Sequence, residues 1–406
     1  MTMATKRTKS NGAMAINSTA TIDDKSHHIA GSFLPQTPLA SGFSTPVRSP
    51  SPTFDKPRPS IFLRWAIEPG SALKLLLLPI ILYANWELVS PYVKTDTLNP
   101  FGNFFLLSGL VPDSKPDDPR YQKTYWDLGF LAYHVVFFSF VRQSLLFYLS
   151  RPLAKYFGLK RESKVDRFGE QTYALLYFLT MGLWGFRIMK SLPTFWYNTT
   201  EFWLGYPHWD MKPELKRYYL MQFSYWLQQL LVMVLGLEKP RKDFHELVAH
   251  HIVTLWLVGW SYLVNLTFIG NAVYMSMDLP DAFFAFSKLL NYIQWNTAKI
   301  YAFIVFVGVW TYFRHYLNLK ILWSVWFEEP VMTPAASKLW SVENGTYLVG
   351  WMQSQIFIPL LLLQFLNLFW YSLIVKILIR AIMTSEADDD RSDDEGDDEP
   401  SKNKKD

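Results

Sequence analysis

Two short polar clusters interrupt the most apolar part of this chain. His250 and His251 stand in a run at 244 to 265, and Asp278 and Asp281 stand in the next run, at 268 to 288. A carboxylate in the middle of a membrane-spanning helix costs about 2.5–3.5 kcal/mol, so two in one helix need partners or a water-filled cavity. The two histidines are the expected partners. Imidazole is the side chain best suited to take up a proton near neutral pH, and a carboxylate beside it would fix its tautomer. The bland alternative is a buried His–Asp hydrogen bond that only locks two helices.

Geometry favours a meeting of the two clusters. The runs form an antiparallel hairpin with its turn near Asn265 to Gly270. His250 lies seven residues in from Asp243, and Asp281 seven from Lys288. At a rise of about 1.5 Å per residue both sit roughly 10 Å below the same surface. Asp278 and Asp281 share a helix face, whereas His250 and His251 diverge by about 100° and cannot point at one atom. One imidazole should therefore face the site and the other flank it.

The elements that position these groups follow from composition. Half of the 406 residues are hydrophobic, 17% are aromatic, and only 18% are charged, clustered between long apolar runs. Runs near 71 to 93, 127 to 149, 171 to 190, 218 to 237, 244 to 265, 268 to 288, 298 to 323 and 347 to 380 approach the ~20 residues a spanning helix requires. The expected fold is an all-α polytopic membrane protein with about eight transmembrane helices. Pro79 and Pro280 should bend two of them, and Phe101 to Val111 reads as an interfacial stretch. With no cysteine in the chain, thiol chemistry, disulfides and thiolate metal sites are excluded. A net charge of +4 gives no reason to expect nucleic acid as a partner.

Lysine and arginine concentrate in the first 60 residues, in the connection holding Arg151, Lys155, Lys160, Arg161, Lys164 and Arg167, and in the turn with Lys239, Arg241 and Lys242. The positive-inside rule then puts both termini in the cytosol, with Lys216, Arg217 and Arg314 as exceptions on the far side. Sequons at Asn198, Asn265 and Asn344 fall on connections expected to be lumenal. Residues 1–60 read as a disordered tail without a cleavable signal, with Ser/Thr-Pro pairs at Thr37, Thr45, Ser49 and Ser51. Residues 61–164 hold the first two helices and their connections, 165–380 the remaining six, and 381–406 a disordered acidic tail. In that tail, Ser385 and Ser392 precede carboxylates, and Lys402 and Lys404 resemble a dilysine signal for retrieval to the endoplasmic reticulum.

The segments Arg241-Lys-Asp-Phe-His-Glu-Leu-Val-Ala-His250-His251-Ile-Val-Thr254 and Met277-Asp278-Leu-Pro-Asp281-Ala-Phe-Phe-Ala-Phe-Ser287-Lys288-Leu-Leu-Asn291-Tyr292 resemble the signature of ceramide synthases, the TLC-domain sphingoid-base acyltransferases, in their fungal longevity-assurance form. The resemblance departs at Pro280, where the family more often has a small hydroxyl residue. It implies that the last six helices form a barrel-like bundle open to the cytosol, with a long tunnel for an acyl chain. It also implies acyl-CoA and a sphingoid base as substrates, no cofactor, and His250, His251, Asp278 and Asp281 as catalytic residues. His250 would be the nucleophile in an acyl-imidazole route, or a histidine would be the base for direct attack. Arg151, Arg241, Lys242, Lys288 and Asn291 are candidates to meet the CoA at the basic rim. Very long saturated acyl chains, a small single-span regulatory subunit, and homo- or hetero-dimers with a paralogue are further implications.

Two other functions compete. His245-Glu-Leu-Val-Ala-His250-His251 is similar to one histidine box of membrane di-iron enzymes, but those need around eight ligating histidines in several boxes. This chain has eight in all, two of them (His27, His28) in the N-terminal tail, so no metal is expected. A non-catalytic lipid-binding or lipid-transport protein is the remaining alternative, and an intact His-His and Asp-x-x-Asp set would be surplus to it.

Overall fold

The computed structural model describes residues 61–93, 98–238 and 241–384. Contacts divide the chain between Pro57 and Arg58, and every described residue belongs to the second unit. The expected tail features at Thr37, Thr45, Ser49, Ser51, Ser385, Ser392, Lys402 and Lys404 lie outside the described residues.

Within them the structure is helical, with isolated bridges such as Leu110 to Tyr121 and Tyr121 to Met211 in place of strands. The long helices are α1 (Pro69–Val93), α2 (Trp126–Tyr156), α3 (Glu162–Ser191), α4 (Pro213–Val234), α5 (Phe244–Leu263), α6 (Thr267–Tyr292), α7 (Asn296–Met332) and α8 (Met352–Thr384). Each apolar run read from the sequence coincides with one of them. Among the described residues four, α1, α2, α7 and α8 as far as Arg380, are long and apolar enough to cross a membrane. Helices α3 to α6, which hold Gln222, His250, His251 and Asp278 among their buried polar side chains, are not among those four. Leu73, Leu77, Leu78 and Ile81 stand exposed along α1; an outward apolar face of this size needs hydrocarbon around it. The stretch after Asn99 is a short 3₁₀ turn, Pro100–Phe104, followed by loop.

Helix α3 lies along α6, α4 packs on α2 and α5, and α8 closes against α5. Gly185 permits the α3–α6 approach, because a Cβ there would stand 2.5 Å from the Tyr218 hydroxyl and 3.0 Å from the Met275 sulfur. An aromatic core of Phe138, Tyr173, Tyr177, Tyr225 and Trp226 fills the space between α2, α3 and α4. Pro280 deprives the Ser276 carbonyl of its ladder donor. In the same turn, the Arg314 Nη2 of α7 donates to the Met277 carbonyl at 3.2 Å, so a neighbouring helix supplies a bond where the proline weakens α6.

Of the three charges expected at connections on the far side, two need correction. Arg314 is only 3% exposed and sits deep within α7, which runs on to Met332 through two π-helical stretches, Thr311–Leu317 and Ser324–Glu328. Lys216 is fully buried; its ammonium meets Asp127 at 2.8 Å and the carbonyls of Ser108 and Gln122 at 2.8 Å each. Only Arg217 is exposed. Asn265 is also enclosed, donating to the Gly345 carbonyl at 2.7 Å, so as folded it is no sugar acceptor; Asn198 and Asn344 are exposed.

Candidate active site

Helices α5 and α6 form the expected hairpin, turning at Asn265 with φ of +63°. Both histidines are buried. The His250 ring sits edge-on to Trp226 of α4 and Trp370 of α8, with centroids 5.5 and 5.4 Å away, and its Nδ1 has no hydrogen-bond partner among the described residues. The His251 Nδ1 stands 2.8 Å from the Leu247 carbonyl one turn back. A carbonyl only accepts, so that nitrogen carries the proton and Nε2 is left with a free lone pair.

The carboxylates do not reach the imidazoles. Asp278 is fully buried among α3, α4 and α6, where Gln222 Nε2 donates to its Oδ2 at 2.5 Å. Gln222 is a hub: it also donates to the Tyr218 hydroxyl at 3.0 Å and accepts from Tyr177 at 2.6 Å. Asp281 turns the other way and pairs with Arg314 of α7 at 2.6 Å. Arg314 also donates to Asn367 Oδ1 at 3.1 Å and lies 4.1 Å over the Trp310 ring. The carboxylates do have partners, but these come from α4 and α7 and not from the two histidines of α5.

Two cavities meet at His250. An open cleft is lined by His250, His251, Asp281, Arg314, Trp310 and Trp370, and also by Glu170, Glu238, Arg241 and Asp243. A separate apolar chamber runs between α4, α5, α6 and α8. Trp226 and His250 line both. Asp278 lines neither.

Of the residues expected at the basic rim, only Arg241 lines the cleft, where it reaches Glu170 at 3.4 Å. Arg151 is committed to Asp166 at 3.1 Å and to the face of Phe147. The Asn291 Oδ1 accepts from Lys299 at 3.2 Å. Lys288 lies 5.5 Å over Phe284, a residue of the cleft wall, and Lys242 is exposed. Sequence reasoning missed Arg314, Gln222 and the Arg142–Glu238 pair at 2.7 Å. The signal for Arg314 was present: a charge inside an apolar run, in a chain with two buried carboxylates to neutralise. Among the described residues no three His, Asp or Glu side chains converge as a metal ion would require.

The hairpin, the paired cavities and the buried polar set belong to one contiguous stretch, residues 167–376, which matches the TLC domain. Beyond it, sphingosine N-acyltransferase lac1 of Schizosaccharomyces pombe is 40% identical over 79% of this chain and 81% of its own length. This chain is a member of the ceramide synthase family. Ceramide synthase LAG1 of Saccharomyces cerevisiae is 36% identical over 72% of the chain and 70% of its own, and ceramide synthase 4 of Bos taurus 32% over 57% and 54%. In this ceramide synthase His250 thus stands at the junction of a charged cleft and an apolar chamber, with His251 beside it in the cleft.

Proposed function

We propose that this ceramide synthase transfers a long fatty acyl group from acyl-CoA to the amine of a sphingoid base, and that His250 carries the acyl group between them. The observation that supports this reading is the position of His250, the one imidazole shared by the cleft and the chamber. A thioester with its CoA in the cleft and its chain in the chamber would present its carbonyl there.

The His250 imidazole attacks that carbonyl, the C–S bond breaks, and CoA leaves as a thiolate that takes up one proton. His251, with Nε2 unprotonated, accepts a proton from the sphingoid ammonium in the cleft. The freed amine attacks the acyl-imidazole, the C–N bond to His250 breaks, and an amide is left. Both protons of the ammonium, the first by way of His251, leave through the cleft to water; one of them replaces the proton that the CoA thiolate took up, and His251 is neutral again. Asp281 neutralises Arg314 at the cleft wall, so that the guanidinium does not oppose the imidazolium that forms. Asp278 acts as a structural tie, holding α6 to α4 through Gln222. The CoA phosphates rest against Arg241, which leaves Glu170 to meet them.

The same reading places the protein in the endoplasmic reticulum membrane with eight crossings, both termini cytosolic, and the last six helices as a bundle open to the cytosol. The fit of the apolar runs to the helices and the distribution of basic connections support it. A regulatory single-span subunit and a dimer belong to the reading by family likeness. The test is to supply detergent-purified protein with acyl-CoA and sphinganine or phytosphingosine, beside His250→Ala. Ceramide and free CoA in equal amounts from the native protein alone are expected. Lipid bound without turnover would mean a binding protein instead.

A further inference from the structure

At its far end the apolar chamber is lined by Tyr219, Ser261 and Gly270, together with Leu266 and Ile269 of the hairpin turn. From His250 it runs along α5 past Thr254 and Val258 to Ser261. There the Tyr219 hydroxyl of α4 is hydrogen-bonded to the Ser261 hydroxyl. Tyr274 packs edge-on to Tyr219 at 5.3 Å, and Gly270 of α6 comes up against the same ring. The walls between are Leu257, Val258, Val273, Met277 and Leu360, which offer an alkyl chain nothing but dispersion contact.

Gly270 cannot be exchanged without moving Tyr219. A Cβ at this position would stand 1.9 Å from the Tyr219 hydroxyl and 2.6 Å from its Cζ. Carbon contacts settle at about 3.5–4.0 Å, so the ring would have to shift by roughly 1.5 Å. Because Tyr219 lines the chamber, the space available to it lies inside the chamber.

We infer that Tyr219, Ser261 and Gly270 form the stop that sets the acyl-chain length. This rests on the acyl-transfer reading above and adds the specificity determinant. Ser261 lies 11 residues beyond His250, about 16 Å along the helix at a rise of about 1.5 Å per residue. An extended alkyl chain, built from C–C bonds of about 1.5 Å at tetrahedral angles, advances about 1.25 Å per carbon. The chamber therefore takes about 13 methylenes beyond a carbonyl at His250, and donors of roughly 14 to 16 carbons fit it. This is shorter than the very long chains that the family resemblance implies.

The experiment offers purified protein an equimolar mixture of saturated acyl-CoA donors from 12 to 26 carbons with one sphingoid base, and reads the ceramide products by mass as ratios within each sample. Gly270→Ala should move the optimum down by about two carbons, the smallest step among even-numbered donors. Tyr219→Ala should move it up by about four or more. Opposite shifts in the two variants cannot arise from partial unfolding. Unchanged ratios in both variants would overturn the proposal, as would shifts of both variants in the same direction. Thermal stabilisation by non-cleavable thioether analogues of the same donors reads the chamber without turnover. If no ceramide forms but stabilisation peaks at the same lengths and shifts with the variants, the transfer reading fails and the stop stands; a flat response refutes the stop.

Discussion

Replacing Arg314 with glutamine tests the least expected feature of the site. Both members of the Arg314–Asp281 pair are enclosed, with side-chain exposures of 3% and 19%, so the small energies of surface ion pairs do not apply. Arg314→Gln leaves Asp281 as a buried carboxylate without its cation, and breaking a buried pair in this way costs about 3–5 kcal/mol. The bonds to Asn367 and the Met277 carbonyl, and the packing on Trp310, are lost with it. Adding Asp281→Asn removes the orphan charge, so the double variant should recover part of the loss, with a coupling of about 1–3 kcal/mol. Thermal unfolding of the detergent-purified protein should show a fall of roughly 6–10 °C for Arg314→Gln, taking about 2 °C per kcal/mol for a chain of this size. Partial recovery is expected in the double variant. Single variants whose losses simply add in the double would refute the reasoning, since the pair would then contribute nothing as a pair.

Three further outcomes follow from the geometry. Asp281→Asn should reduce ceramide formation by about 10²-fold or more, while Asp278→Asn, which acts on a carboxylate outside both cavities, should reduce it less and lower thermal stability through Gln222; equal rate losses with unchanged stability would count against separate roles. Asp127→Ala should destabilise the protein by about 3–5 kcal/mol, because it leaves the fully buried Lys216 ammonium without its carboxylate, and an unfolding temperature equal to the native one would contradict this. Burial against the ring of Phe268 pushes His208, on the loop before α4, below its ordinary value of about 6.5. The unfolded chain then binds the extra proton first as pH falls, so stability should decline below about pH 6.5 and the decline should weaken in His208→Gln.

The helices and the hairpin were legible in the sequence, because apolar runs of sufficient length and the depths of His250 and Asp281 depend only on helical rise and periodicity. The partners of the aspartates were not. A spacing of three residues says that Asp278 and Asp281 share a face, but which neighbour each meets depends on how α3, α4 and α7 pack around α6. Arg314 was misplaced for a related reason. Assigning basic residues to loops treats every arginine near the end of a run as solvated, whereas here α7 continues to Met332 and a buried carboxylate neutralises the charge. The separation of cleft from chamber at His250 was also invisible, since Trp226 and Trp370, which flank the ring, lie 24 residues before it and 120 after it.

The central claim is that His250 carries the acyl group. The direct measurement is the mass of the protein, and of its peptides, after brief incubation with acyl-CoA and no sphingoid base. The account predicts one acyl adduct, mapped to the peptide containing His250, lost on addition of sphinganine and missing from His250→Ala. Ceramide produced at full rate with no adduct at any time, or an adduct on another residue, would contradict it.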